Sequence, residues 1–291
     1  MSKPIAVITG ASSGIGKEAA RELLLQGWQV IALGRDPARC EQAAMELQSA
    51  CDRPQQLHFI GADLAQMSSV VQAANTIRSL TDRVDVLLNN AGGLTRELTL
   101  TDEGNENTFA SNHLGHFLLT NELLPLLQKA ASNAPAGHTR IVLVSSSAHE
   151  HCDGLDWDDL QSQQDFDSNR AYCRVKLANL LHMRELARRL QADGIRVHAM
   201  HPGLVNSNFA SHADSAMQSY FEANAARGIT PAAAADTLIW LASAEEAGLT
   251  TGEYFHQRQA IPCSALAQDD DAAAQLWQES ERLVERARSH R

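Results

Sequence analysis

Six short apolar runs alternate with five long stretches of helical spacing, and this alternation narrows the fold more than any other property of the chain. The runs cover residues 5–9, 29–33, 57–60, 84–89, 140–145 and 195–200. Near-continuous apolar runs of this length fit strands buried on both faces of a parallel sheet. The stretches between them, 15–26, 38–50, 68–80, 105–129 and 170–192, repeat their apolar residues every three to four positions. Helices that return the chain for the next parallel strand have this form. Right-handed crossovers then predict an α/β, doubly wound parallel sheet with helices on both faces. Asp36 is a good N-cap and Pro37 a good first helical residue, so a helix should open there. No repeat or low-complexity block divides the chain, which predicts one domain over residues 1–291, with a flap at about 204–228 and a helical tail at about 269–291.

The first strand runs into Thr9-Gly10-Ala11-Ser12-Ser13-Gly14-Ile15-Gly16, where the first helix opens. In a strand–turn–helix context, Gly10 permits the tight turn and Gly14 lets backbone amides approach a pyrophosphate. Gly16 lets helix and strand pack closely. The expected ligand is a dinucleotide. An enzyme that selects NAD commonly places an acid about 20 residues further on, but the second strand ends Leu33-Gly34-Arg35 and Asp36 already serves as a cap. A guanidinium at Arg35, helped by Arg39, can fork onto a 2′-phosphate, so NADP(H) is expected in preference to NAD(H). Lys17 reads equally well as a surface lysine.

Tyr172 and Lys176 stand one helical turn apart and share a face. A cation about 4 Å from a phenol is worth roughly 4 kcal/mol at a near-surface dielectric. This predicts a Tyr172 pKa lowered by a few units, which desolvation would oppose. Such a phenol is an acid/base group.

A net charge of −11 without basic runs argues against nucleic acid or anionic membrane as a partner. The apolar run after Met1-Ser2-Lys3-Pro4 is too short for a signal peptide or membrane anchor. The five cysteines are scattered and lack Cys-x-x-Cys spacing, which fits a reducing, cytoplasmic setting. His113 with His116, and His149 with His151, have spacings poor for zinc, so no metal is expected. The acidic stretch 153–167 reads as a solvated excursion. Phe209, Met217, Tyr220 and Phe221 suggest a flap bringing apolar groups to a pocket, with an ordinary surface helix as the alternative.

The glycine turn, Asn89-Asn90-Ala91-Gly92, Tyr172-x-x-x-Lys176 and His201-Pro202-Gly203 occur in the order seen in the short-chain dehydrogenase/reductase family, which the chain resembles over almost its whole length. Ser111-Asn112-His113-Leu114-Gly115-His116-Phe117, Val144-Ser145-Ser146-Ser147-Ala148-His149 and the late Gly252–Phe255 stretch are similar to the retinol-dehydrogenase-like branch. The resemblance implies a Rossmann fold and a catalytic set of Asn112, Ser146, Tyr172 and Lys176. Tyr172 would be the acid/base and Lys176 would hold the ribose hydroxyls. Ser146 would bond the substrate oxygen, with Ser145 and Ser147 one register away. Asn112 would hold a water feeding the proton relay. Asp63 and Leu64 would contact adenine, and Asn90, Ala91 and Gly92 would lie along the adenine ribose. Pro202, Gly203, Leu204 and Ser207 would sit near the nicotinamide; Ser207 stands where many relatives have Thr. The implied reaction interconverts a carbonyl and an alcohol on a small, apolar substrate. A homo-dimer or homo-tetramer through the helices of Asn112 and Tyr172 is a further implication. The competing expectation is a catalytically silent NADP(H)-binding sensor or scaffold, which needs the glycine turn but not Tyr172 and Ser146.

Overall fold

The computed structural model describes residues 3–207 and 215–289. Among them the strands form one eight-stranded sheet in the order β3-β2-β1-β4-β5-β6-β7-β8. These are β1 Ile5–Thr9, β2 Gln29–Gly34, β3 Leu57–Gly61, β4 Val86–Asn89, β5 Arg140–Val144, β6 Arg196–Met200, β7 Tyr254–His256 and β8 Gln259–Ile261. Every pairing is parallel except the last, β7 with β8. This is the expected doubly wound α/β Rossmann sheet, with its reversal of strand order between β1 and β4.

Alternate strand residues feed opposite sides of the sheet. Ile5, Val7, Leu87, Ile141 and Leu143 enter one apolar cluster, whereas Ala6, Ile8, Leu88, Val142 and Val144 enter the other. A strand with both neighbours buried must be apolar at every position, hence the unbroken runs. The second cluster is closed by α1 Gly14–Leu25, α2 Pro37–Gln48 and α8 Pro231–Ser243. The first is closed by α3 Met67–Leu80, α5 Gly115–Ser132, α6 Ser168–Leu190 and α9 Asp270–Ser289. Between α3 and α5 lies the short α4, Asn107–Phe109, and between α6 and α8 lies α7, Ser215–Ala223. Asp36 caps α2 as expected, its carboxylate accepting from the Arg39 amide at 2.8 Å.

The structure departs from the sequence reading in four places. The helix expected over 105–129 is interrupted by a π-helical segment, Ala110–Leu114, between α4 and α5. The strand expected from 84 starts at Val86. The β7–β8 hairpin was not anticipated, because each strand has three residues and its turn lacks glycine. Gln257 and Arg258 adopt φ of +50° and +61°, values at which non-glycine residues are uncommon. The Arg258 side chain ties the turn to α8, Nε donating to Asp236 Oδ2 at 2.7 Å while its backbone amide donates to Thr237 Oγ1 at 3.1 Å. Helix α8 also went unread, although Thr230 caps it and Pro231 follows as its first residue.

Helix α9 buries Ala273, Leu276, Trp277, Ser280, Leu283, Val284 and Ala287, a face spaced at helical intervals, against the side carrying α6. At this seam the His182 ring packs against Phe117 and Trp277, and neither of its nitrogens has a hydrogen-bond partner. Burial holds its pKa down at about 3. A histidine that is neutral when folded and charged when unfolded contributes fully above its unfolded pKa, and that contribution is lost as pH falls toward the folded value. With an unfolded pKa near 6.5, the loss reaches roughly 2 kcal/mol by about pH 5. His182→Leu should therefore raise the melting temperature at pH 7.5, since two buried unpaired nitrogens are removed. It should raise it more at pH 5, as thermal unfolding at the two values would reveal. An unchanged acid limb would exclude His182 as its origin.

Candidate functional site

The carboxyl ends of β1 and β4 border a cleft of about 1710 Å³, at the position where doubly wound sheets hold ligands. The two strand ends are tied together. Thr9 Oγ1 accepts from the backbone amides of Asn90 and Ala91, each at 2.9 Å, and the Asn90 side chain donates to Thr9 O at 2.8 Å. Gly10 takes φ +68°, and a Cβ there would lie 2.9 Å from Ala91 Cα. A Cβ on Gly16 would stand 2.5 Å from both Gly10 O and Asn90 Nδ2, so strand and helix meet because that atom is absent. At Gly14, φ +56°, a Cβ would meet nothing within 4 Å. Gly14 and Ile15, the first residues of α1, line the cleft, and Ser13 at the N-cap makes no side-chain cap. An anion-receptive helix N-terminus beside an open cradle fits a dinucleotide pyrophosphate.

Thr9, Gly10, Ser12, Ser13, Gly14 and Ile15 line the cleft, as do Arg35, Arg39, Asp63, Leu64, Asn90, Ala91 and Gly92. Ser146, Tyr172, Lys176, Pro202, Gly203, Leu204 and Ser207 line its other part. Of the anticipated residues, Gly16 and Asn112 do not line it; Gly16 sits at the strand–helix contact and Asn112 is fully buried behind the wall. Arg35 and Arg39 have exposed side chains and no ion-pair partner among the described residues. Lys17 is paired with Glu46 at 2.7 Å.

The Ser146 side chain stands close enough to the Tyr172 phenol to oppose the upward push of burial on its pKa, and both line the cleft. Of the neighbouring serines, Ser145 donates to Lys176 O at 2.8 Å and so faces the body of α6. Lys176 is buried, with Nζ 5.3 Å from the Tyr172 ring centre and 3.4 Å from Val144 O. Gly92 makes room for this group, since a Cβ there would fall 3.2 Å from Lys176 Nζ and 2.7 Å from Asn112 Oδ1. The Asn112 side chain is committed elsewhere: Nδ2 donates to Gly93 O at 2.9 Å and Thr108 O at 2.8 Å, and Oδ1 accepts from Gly93 N at 3.2 Å.

One electrostatic expectation is corrected here. Tyr172 is not acidified; burial raises its pKa, and the Ser146 side chain opposes this only in part. The same burial lowers Lys176 to about 8. Both groups sit in apolar surroundings that disfavour their charged forms, and this outweighs a charge 5.3 Å from the ring.

The cleft also reaches residues that the sequence did not single out, among them Asn107, Asp167, Asn169 and Pro231. Asn169 was findable, because it precedes Tyr172 by one helical turn on α6. Met217 lines the cleft and packs on the apolar core. Phe209 and the side chains of Tyr220 and Phe221 lie outside the described residues.

Strand order, glycine turn and cleft together define a doubly wound fold of the Rossmann kind. The profile of the short chain dehydrogenases matches residues 4–218, and the chain belongs to that family. Within it the chain is retinol-dehydrogenase-like: human Retinol dehydrogenase 13 is 38 % identical over 288 residues, covering 96 % of this chain and 83 % of the human protein. An uncharacterized protein from Mycobacterium paratuberculosis superposes with a TM-score of 0.76 at 33 % identity, over 98 % of this chain and 94 % of its own. The Pseudomonas aeruginosa RhlG/NADP active-site complex gives 0.69 at 27 % identity, over 87 % and 94 %.

Proposed function

We propose that the protein is an NADP(H)-dependent oxidoreductase interconverting a carbonyl and an alcohol, with Tyr172 as acid/base. The observation that carries this is that Tyr172, Ser146 and Lys176 line the wall of the same cleft as the glycine turn. The nicotinamide cofactor supplies or takes up the hydride. Ser146 and Tyr172 present two hydroxyls to one substrate oxygen, an arrangement that stabilises charge developing there. In the reducing direction the raised Tyr172 pKa keeps the phenol protonated and ready to donate. In the oxidising direction it must be a phenolate before it can accept a proton, and a charged Lys176 nearby favours that ionised form. A binding-only sensor would make no use of the serine–tyrosine pair.

Leu94, Ala148, Val205 and Met217 give the cleft apolar lining beside the pair, which fits a small apolar substrate, and the retinol dehydrogenases among the relatives accord with this. Among the described residues no helix is long and apolar enough to cross a membrane. The cysteines are all free thiols, in keeping with our placement in a reducing cytoplasm. A panel of apolar aldehydes, ketones and alcohols, assayed by NADPH oxidation or NADP reduction, should contain turned-over compounds. A panel without turnover at high enzyme concentration, combined with tight NADPH binding, would establish the sensor instead.

A further inference from the structure

His116 is buried and lies one turn beyond Asn112, where the π-helical segment gives way to α5. Its ring bridges two parts of the site. Nδ1 lies 3.0 Å from Asn112 O, and Nε2 lies 2.9 Å from Thr9 Oγ1. A carbonyl oxygen only accepts, so Nδ1 carries the proton and Nε2 is bare. The Thr9 hydroxyl then donates to Nε2, Leu88 O being the longer alternative at 3.3 Å. The lone pairs of Thr9 Oγ1 are left to accept from the Asn90 and Ala91 amides. Every polar atom in this chain of contacts has a partner, which is how a buried network specifies one geometry. Burial holds the His116 imidazole neutral down to about 4; the Asn112 hydrogen bond opposes this in part, and the Lys176 charge adds a smaller downward push.

We infer that His116 is a positioning residue that clamps the Asn112 carbonyl on one side and the Thr9–Asn90 corner of the cofactor cleft on the other. It thereby holds the Asn112 carbonyl in register with the bound nucleotide. This rests on the dehydrogenase reading above. The two ring nitrogens serve separate ends of the clamp, so they can be removed separately. In His116→Asn the amide nitrogen takes the place of Nδ1 and still donates to Asn112 O, but nothing reaches Thr9. In His116→Gln the amide oxygen takes the place of Nε2 and accepts from Thr9, but the Asn112 contact is lost. His116→Phe loses both.

The test measures kcat with a turned-over substrate and the NADPH Kd for each variant, with Tyr172→Phe in parallel. Misplacement of a reacting group by about 1 Å can cost up to about 10²-fold, and a clamp acting indirectly should cost about tenfold. Accordingly kcat should fall about tenfold in the Phe and Gln variants and recover in the Asn variant. The Kd should rise in the Phe and Asn variants and recover in the Gln variant. Equal losses in all three, or kcat and Kd moving together, would show a space-filling residue and overturn the inference. If Tyr172→Phe is inactive while His116→Phe matches wild type, the clamp fails and the enzyme reading stands. If Tyr172→Phe matches wild type, the enzyme reading fails first. A measurement on the wild-type protein covers the case of variants that do not fold. Nitrogen-15 NMR of the His116 ring, assigned through bonds, should show Nδ1 protonated and Nε2 bare at neutral pH. The opposite tautomer or an imidazolium would overturn the clamp.

Discussion

Tyr172→Phe should lower turnover by about 10²–10⁴-fold, the usual consequence of losing a positioned general acid or base, while leaving NADPH affinity within a few fold. Helix α6 presents the phenol to the cleft beside Ser146. Removing the oxygen keeps the ring, which is buried among apolar neighbours, so the fold should be retained. Burial of Tyr172 and Lys176 adds a pH signature. A phenol whose pKa is raised stays protonated through the neutral range, so it imposes no ionisation of its own on carbonyl reduction there. The Lys176 ammonium, lowered to about 8, loses its charge as pH rises through that value. Steady-state rates from pH 6 to 10 should therefore decline on the alkaline side in the wild type, and Tyr172→Phe should be low throughout. Wild-type turnover in the phenylalanine variant with a good substrate would remove Tyr172 from the chemistry.

The second large effect concerns the choice of cofactor. Arg35 and Arg39 border the cleft beyond the end of β2, both exposed and without an ion-pair partner among the described residues. Two guanidiniums left free at this position are suited to a 2′-phosphate. Each charge-assisted hydrogen bond is worth about 1.5–3 kcal/mol, and solvent screening reduces this for exposed groups. The double variant Arg35→Ala/Arg39→Ala should weaken NADPH binding by about 10²-fold, and less at high salt, with NADH binding changed by no more than about threefold. Fluorescence titration of both cofactors at low and high salt reads this directly. Equal losses for the two cofactors would mean that the arginines act on the shared part of the dinucleotide. No loss for either would place the phosphate elsewhere.

The legible parts of this protein were those set by short-range rules. Strand period, helix period, the cap at Asp36 and the glycine spacing at 10, 14 and 16 are all fixed within a few residues of one another. The β7–β8 hairpin escaped because its conformation comes from distant support. Arg258 holds φ +61° while its side chain is anchored on Asp236, more than a turn of sequence away. The π-helical break at Ala110–Leu114 escaped because its residues have the same spacing as a regular helix.

The alternation of apolar runs and helices was enough to determine the order of layers and the place of the cleft, since both follow from backbone geometry and side-chain period. It also supplied the chemical groups, a phenol, an amine, hydroxyls and two guanidiniums. The tertiary structure decided how those groups behave. It turned Ser145 toward the backbone of α6 and left Ser146 beside the Tyr172 phenol. It raised the Tyr172 pKa that residue spacing had suggested would fall, and it spent the Asn112 amide on Gly93. It also placed His116 between Asn112 and Thr9. Desolvation and long-range hydrogen bonds depend on which atoms, remote along the chain, fill the space around a group. No local pattern contains that information.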